Sequence, residues 1–482
     1  MTLSLHNTTL HILNMRTRIP FKYGIATMTS LPHVFVRVEL AVAGRTAYGI
    51  ASDHLPPKWF TKYPQTTFEE DIEEMLLVIR SAAEYSLDLE PAETVFDLWR
   101  ELYGLQGVWA MDENLPPLLW GFGVSLVERA IIDAYCRATQ TTFAGAVHSN
   151  NLGINLGELH PQLAGQTPAG FLPWPPSPTL IARHTVGLGD PLTGADIPAS
   201  ERMNDGLPQA LEEVIDAYGI THFKLKLFGD PEQDIERLGN IARVIEAAGV
   251  SDYGFTLDGN ENYKEIAPFR QLWASLSQNS DLADFMSHLL FVEQPLHRDV
   301  ALSEATKAEL LAWEGRPPII IDESDAEIDS LPNALDCGYA GTSHKNCKGV
   351  FKGIANACLL EHYRRQNPGQ TYLMSGEDLS NVGVALLQDS TVTAVLGIGH
   401  AERNSHHYFA GLSMYPQAMQ AAILAQHSDL YHRHPAGFPT LTIKKGRINL
   451  GSVLQAPFGV GADLDPTVFT LVDEWDADSM NQ

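Results

Sequence analysis

Val34, Val36, Val38 and Leu40 alternate with Phe35, Arg37 and Glu39, the period-two pattern of a half-buried strand. Gly44 supplies a turn before Thr46-Ala47-Tyr48, so the chain is expected to open as a β-meander. From Thr67 to Arg80, and again from Val124 to Ala138, apolar residues recur at helical spacing, as in Val124, Val127, Ile131 and Tyr135. Strands followed by helices predict an α+β unit.

Between Phe143 and Pro178 the periodicity is lost, and Phe171-Leu-Pro-Trp-Pro-Pro-Ser-Pro178 cannot lie inside a helix or a central strand. Short apolar runs separated by helical stretches follow: Leu180–Val186, His222–Leu227, Gly254–Leu257, Leu289–Val292, Pro318–Ile321, a weaker run near Gly341, Tyr372–Met374 and Val392–Ile398. Eight such runs predict an α/β fold of the (β/α)8 or TIM-barrel type. Leu441-Thr-Ile-Lys-Lys-Gly-Arg-Ile-Asn-Leu450 reads as a hairpin turning at Gly446 and packing back on the first unit. The expected division is 1–145 for the α+β domain, 146–178 for a connection, 179–435 for the barrel and 436–482 for a returning segment.

Composition narrows the function. The 482 residues carry a net charge of −27, a field that repels a phosphate backbone, so nucleic acid is not an expected partner. Cys136, Cys337, Cys347 and Cys358 form neither a thiolate zinc motif nor a disulfide framework, which fits a reducing cytoplasm. Neither a signal peptide nor a membrane span is read from the apolar runs.

The informative polar residues stand where the apolar strands stop. Lys224-Leu-Lys226 ends the second strand, Asp258-Gly-Asn260 the third, Glu293-Gln-Pro295 the fourth and Asp322-Glu323-Ser324 the fifth, while Lys345-Asn-Cys-Lys348 belongs to the sixth. In a parallel barrel all strand C-termini meet at one face, so these groups converge. Asp258, Glu293 and Asp322 crowd three anions that a cation must neutralise, and hard oxygen donors point to Mg2+, with Asn260 and Glu323 as auxiliary groups. Lys224 and Lys226 point to the same side of their strand. Crowding two ammonium groups is expected to lower at least one pKa and make a base. Lys345 is expected across the mouth, addressing the opposite face of one substrate carbon, whereas Lys348 reads as a surface lysine at a helix start.

The set Lys-x-Lys, Asp, Glu, Asp and Lys on successive strands resembles the enolase superfamily, and within it the muconate lactonizing enzyme subgroup. The resemblance spans nearly the whole chain. It implies an enolase-like barrel with an N-terminal α+β capping domain, to which the segment holding Phe458-Gly-Val-Gly461 returns. It implies Mg2+, with Mn2+ as a substitute, on Asp258, Glu293 and Asp322. Lys226 and Lys345 become the acid/base pair, with Lys224 steering the substrate carboxylate and depressing the pKa of Lys226. The seventh strand ends in Met374-Ser-Gly-Glu-Asp378 without a histidine, unlike the mandelate racemase variant.

The two loops 20–30 and 52–59 occupy the family's lid positions, which makes Lys22, Tyr23, Lys58 and Trp59 candidate substrate contacts. His400 and Glu402, in the polar segment Gly399–His407, are further candidates. The reaction implied is α-proton abstraction from a small-molecule carboxylate through an enediolate, with 1,1-proton transfer (racemase or epimerase) favoured over dehydration or cycloisomerisation. The family also implies a homo-oligomer. Two readings compete: a Schiff-base aldolase, which needs no carboxylate triad, and a barrel that binds metal or ligand without catalysis.

Overall fold

The computed structural model describes residues 2–481. β1 (Leu3–Tyr23), β2 (Ala26–Val42) and β3 (Arg45–His54) form an antiparallel sheet, and Thr470–Leu471 adds to the free edge of β1. Val34, Val36, Val38 and Leu40 are fully buried, as their alternation requires. α1 (Phe68–Leu87) and α3 (Pro117–Thr139) pack on the sheet, and α2 (Val95–Asp112) packs on these two helices. Thr67 and Glu70 close a capping box at the start of α1, which satisfies amides that the first turn leaves free. α3 crosses β3 at Gly49, where a Cβ would stand 2.1 Å from the Ala130 carbonyl oxygen. Only glycine permits that approach.

Eight parallel strands follow: β4 (Thr179–Val186), β5 (His222–Lys226), β6 (Gly254–Asp258), β7 (Leu289–Glu293), β8 (Ile319–Ile321), β9 (Gly341–His344), β10 (Leu373–Gly376) and β11 (His400–Glu402). Each pairs with the next, and β11 pairs with β4 to close the ring. The fold is therefore an α/β (β/α)8 barrel with an N-terminal antiparallel-sheet unit. Among the described residues no helix is long and apolar enough to cross a membrane.

One local expectation fails and a second holds only in part. The run Val392–Ile398 is not the eighth strand: Val384–Val395 is a helix, and the strand is the polar His400–Glu402. Every residue of that helix is buried, so it lacks the polar face that separates a helix from a buried strand in sequence. The expected hairpin is present only as its turn, closed by one antiparallel bridge between Lys444 and Arg447. Pro439–Leu441 pairs with Tyr431–Arg433, the chain turns at Gly446 (φ +69°), and Arg447–Asn449 runs antiparallel on barrel strand β4. Contact with the first sheet comes later, through Thr470–Leu471 on β1.

Candidate active site

Alternation along β5 buries Phe223 and Leu225 in the outer layer and turns Lys224 and Lys226 into the barrel. Register then aligns the acids. Lys226 pairs with Asp258 and Asp258 with Glu293, while Asp322 follows β8 directly. All five side chains are at least nine-tenths buried.

Lys224 is the centre of the arrangement. Its Nζ lies 3.1 Å from Asp258, 2.9 Å from Glu293, 2.6 Å from Glu377 and 3.1 Å from Glu402. Burial alone would lower its pKa, but these four carboxylates hold it well above the usual lysine value. Lys224 is therefore not the lysine whose pKa the crowding lowers, because acids on facing strands outnumber its lysine neighbour. Lys226 Nζ lies 2.5 Å from Asp258 Oδ2, and Lys345 Nζ lies 2.5 Å from Asp322 Oδ2 and 4.0 Å from Glu293. Lys345 is likewise held above its ordinary pKa: burial opposes the shift and Asp322 drives it. β5 and β9 are four strands apart in a closed ring of eight, so Lys226 and Lys345 reach the mouth from opposite sides.

Lys348, expected at the surface, is buried. Its ammonium donates to the Asp322 carbonyl (3.1 Å), Asp322 Oδ1 (3.2 Å) and Ser343 Oγ (2.9 Å). Burial would raise the Asp322 pKa, yet Lys345, Lys348 and Lys224 hold it far below the carboxylate range. Glu293 is pushed well above its ordinary value, by burial first and then by Asp258 and Glu377. Glu323 is raised to about 8, by burial and then by Asp322, Glu261 and Asp258. Asn260 donates its backbone amide to Asp258 Oδ1 (2.9 Å), and its carbonyl accepts from Lys62.

Among the described residues no three His, Cys, Asp or Glu side chains already stand as a metal cage; lysine ammonium groups neutralise the strand-end acids instead. Even so, Glu323 Oε2 and Asn260 Oδ1 are buried without a hydrogen-bond donor. Unpartnered buried oxygens of this kind suit a hard cation.

Above the acids lies a cavity of about 40 Å³ roofed by Phe21, Tyr23, Met28, Pro56, Trp59 and Leu379. Two of the four lid candidates face it. Tyr23 is anchored by donating its hydroxyl to the Pro57 carbonyl (2.9 Å), and the Trp59 ring lies 4.9 Å from Lys345 Nζ. Lys22 alternates outward and is exposed. Lys58 turns away to the Tyr63 carbonyl (2.8 Å), the Thr66 carbonyl (2.5 Å) and Asp71 (3.1 Å), where it ties the loop to α1. Glu402 lines the cavity and accepts from Thr185 (2.5 Å) and Asn404 (2.6 Å). His400, two residues earlier on the same strand, lies deeper: Nδ1 meets Arg183 Nη1 at 2.6 Å, and the ring tilts against His222. It does not line the cavity.

Glu377 and Arg183 escape the sequence reading. Arg183 pairs with Glu377 inside the barrel, and both are fully buried. The signal for Glu377 was present, since it ends a barrel strand as Asp258 and Glu293 do, but its run is short and mixed with Ser375 and Gly376.

The chain matches no protein-family profile and no curated protein sequence. Solved structures do match over nearly the full length. A mandelate racemase/muconate lactonizing protein from Herpetosiphon aurantiacus is 17% identical with a TM-score of 0.58, covering 96% of this chain and 99% of its own. Muconate lactonizing enzyme from Pseudomonas fluorescens, complexed with muconolactone, is 15% identical with a TM-score of 0.58 over 97% and 99%. An enolase from Bradyrhizobium, complexed with magnesium and mandelic acid, is 14% identical with a TM-score of 0.57 over 98% and 99%. The chain thus has the fold of the mandelate racemase and muconate lactonizing enzyme-like structures of the enolase superfamily.

Proposed function

We propose that this protein abstracts the α-proton of a small carboxylate substrate and carries the product through an enediolate, with Lys226 and Lys345 as the acid/base pair. The observation that carries this reading is their placement on opposite sides of one cavity floored by Asp258 and Asp322. Two proton-transfer groups facing one carbon from either side favour 1,1-proton transfer, as in a racemase or epimerase.

Asp258, Glu293 and Asp322 would hold Mg2+, with Glu323 and Asn260 beside them. Bound there, the ion supplies electrophilic stabilisation to carboxylate oxygens where negative charge develops. Neighbours complexed with magnesium, mandelic acid or muconolactone support this reading. Lys224, fixed as a cation by four acids, adds a positive charge that costs no reorganisation during reaction. Lys226 takes the α-proton from one face, and Lys345 delivers a proton to the other. The Trp59 ring beside Lys345 favours its charged form, and the apolar roof excludes water while the anion exists.

The test is deuterium uptake at the α-carbon in D2O with Mg2+, read by mass spectrometry over sugar acids, N-acyl amino acids, dipeptides and aromatic hydroxy acids. Uptake that Lys226→Ala stops from one configuration supports the reading, and a product that gains one deuterium, loses no water and has inverted configuration identifies a racemase or epimerase. Magnesium binding without uptake on any bound acid favours the non-catalytic barrel.

A further inference from the structure

The turn that brings Trp59 over the cavity is fastened to the barrel. Between β3 and α1 the chain forms neither helix nor strand over residues 55–67, and the Trp59 and Phe60 carbonyls accept from no backbone amide among the described residues. Both accept instead from Arg298, which opens the short helix Arg298–Ala301 after β7: Nη2 donates to the Trp59 carbonyl at 2.9 Å and Nη1 to the Phe60 carbonyl at 2.8 Å. Glu261 fixes the rest of the guanidinium. Its Oε1 accepts from Nε and its Oε2 from Nη2, each at 2.8 Å, and the Arg298 backbone amide also donates to Oε1 at 2.8 Å. Lys62, in the same loop, reaches the opposite way: its ammonium donates to the Asn260 carbonyl and stands 3.5 Å from Glu261 Oε2.

Glu261 is where these bonds meet. It is buried, its amide donates to the Gln294 carbonyl at 2.9 Å, and it and Asn260 both stand in the left-handed region, at φ +60° and +45°. Two consecutive non-glycine residues there carry a conformational cost, and they persist only where their surroundings over-determine them. Bonds to Arg298, Lys62 and Gln294 do so. The same turn follows Asp258 directly and puts Asn260 on the cavity wall. A bidentate arginine–carboxylate pair adds direction to strength, and a lysine cannot span two carbonyls and two carboxylate oxygens at once. On the other side of the fastened backbone, Phe60 stacks on Phe122 of α3 (ring centroids 4.3 Å apart, 25° between planes), and Trp59 stands edge-on to Phe60 (4.8 Å, 86°). Backbone and ring are thereby fixed together, with the Trp59 ring 4.9 Å from Lys345 Nζ.

We propose that Arg298 and Glu261 are positioning residues that lock the Trp59–Phe60 turn against the turn after β6 and so hold the Trp59 ring over Lys345. The lock stands on this geometry alone, while its meaning for proton transfer rests on the reading of Lys345 given above. Without the fork the two carbonyls are free, and the ring that favours the charged form of Lys345 and helps exclude water leaves its place.

The experiment is fluorine NMR on the full-length protein labelled with 5-fluorotryptophan, with Mg2+ present. The chain has eight tryptophans, and Trp59→Phe identifies the Trp59 resonance as the one that disappears. In the unaltered protein it lies away from free 5-fluorotryptophan and changes little between H2O and D2O. Arg298→Ala, Glu261→Ala and the conservative Arg298→Lys each move it toward the free position with a full solvent isotope shift and leave the other seven in place. Guanidinium ion, added to Arg298→Ala well below denaturing concentration, returns it, and sodium chloride at the same strength does not. Where an alanine variant displaces all eight resonances, Arg298→Lys decides: displacement of all eight there too overturns the lock, because the pair then holds the fold and not the turn. An unmoved Trp59 resonance in any folded variant, or one that guanidinium fails to restore in folded Arg298→Ala, overturns it as well. The readout needs no substrate, so the two claims separate. A released ring beside absent deuterium uptake keeps the lock and counts against proton transfer, and uptake beside an unmoved ring does the reverse.

Discussion

Lys224 Nζ and Glu377 Oε2 lie 2.6 Å apart inside the barrel, where neither side chain reaches solvent. Glu377 also holds Arg183, and Lys224 also meets Asp258, Glu293 and Glu402, so this pair joins the two halves of a buried charge network. Removing one member of a buried pair leaves a charge without compensation, which costs about 3–5 kcal/mol. Lys224→Met takes a shared cation from four carboxylates at once and is expected to lose that much stability in urea unfolding. Adding Glu377→Gln to Lys224→Met removes one stranded anion and should recover part of the loss. A double variant less stable than the sum of the two singles would show that the four acids do not share the lysine.

The opposed placement of Lys226 and Lys345 makes a stereochemical prediction. With a chiral substrate, Lys226→Ala should stop deuterium uptake from one configuration and Lys345→Ala from the other, each by about 10²–10⁴-fold. Near-ultraviolet circular dichroism should match that of the unaltered protein. Loss of uptake from both configurations in both variants would place the two lysines on one face and refute the arrangement.

Magnesium should stabilise the fold. Glu323 Oε2 and Asn260 Oδ1 have no hydrogen-bond donor, and burial with Asp258 and Glu377 lifts the Glu293 pKa well above the ordinary range. A divalent cation relieves both conditions, and a ligand that binds only the folded state at a hundred times its Kd adds about 2.7 kcal/mol. The unfolding midpoint should rise with added Mg2+ and fall back with EDTA. Glu293→Gln should abolish the response.

How far the sequence could be read depended on whether a residue's environment is set locally. Asp258, Glu293 and Asp322 end hydrophobic runs, and strand direction alone carries them to one face, so the barrel and its acid floor were legible. Lys348 was not. Its neighbours in sequence look like a helix start, and only the fold brings Asp322 and Ser343 to its ammonium. The lid residues divide for a similar reason: alternation along β1 sends Tyr23 inward and Lys22 outward, a distinction invisible while the segment is read as a loop. The eighth strand was misplaced because a helix buried on every side presents the same unbroken apolar run as a core strand.

The start of helix Val350–Gln366 yields the last prediction. Gly349 precedes it at φ +101° and has no side chain to cap the free amides. Glu128 of α3 supplies the cap from the other unit, accepting from the Val350 amide at 3.0 Å and the Phe351 amide at 2.7 Å. Burial raises its pKa from 4.5 to about 7 against the pull of those amides. A folded-state pKa above the unfolded one means that, between roughly pH 4.5 and 7, the folded protein binds more protons than the unfolded chain. Stability from this group is therefore fully present below the unfolded pKa and is lost as pH rises through about 7, with a slope of up to about 1.4 kcal/mol per pH unit. Glu128→Gln keeps an acceptor but cannot titrate. Urea unfolding at pH 5, 6 and 7 should show a flatter dependence in the variant than in the unaltered protein, so that the two curves converge or cross toward pH 7. Because Lys345 and Lys348 immediately precede this helix, the same titration loosens the segment that carries one of the two opposed lysines. Parallel stability curves across the range would mean that Glu128 is ionised throughout and that its two amide bonds outweigh the cost of its burial.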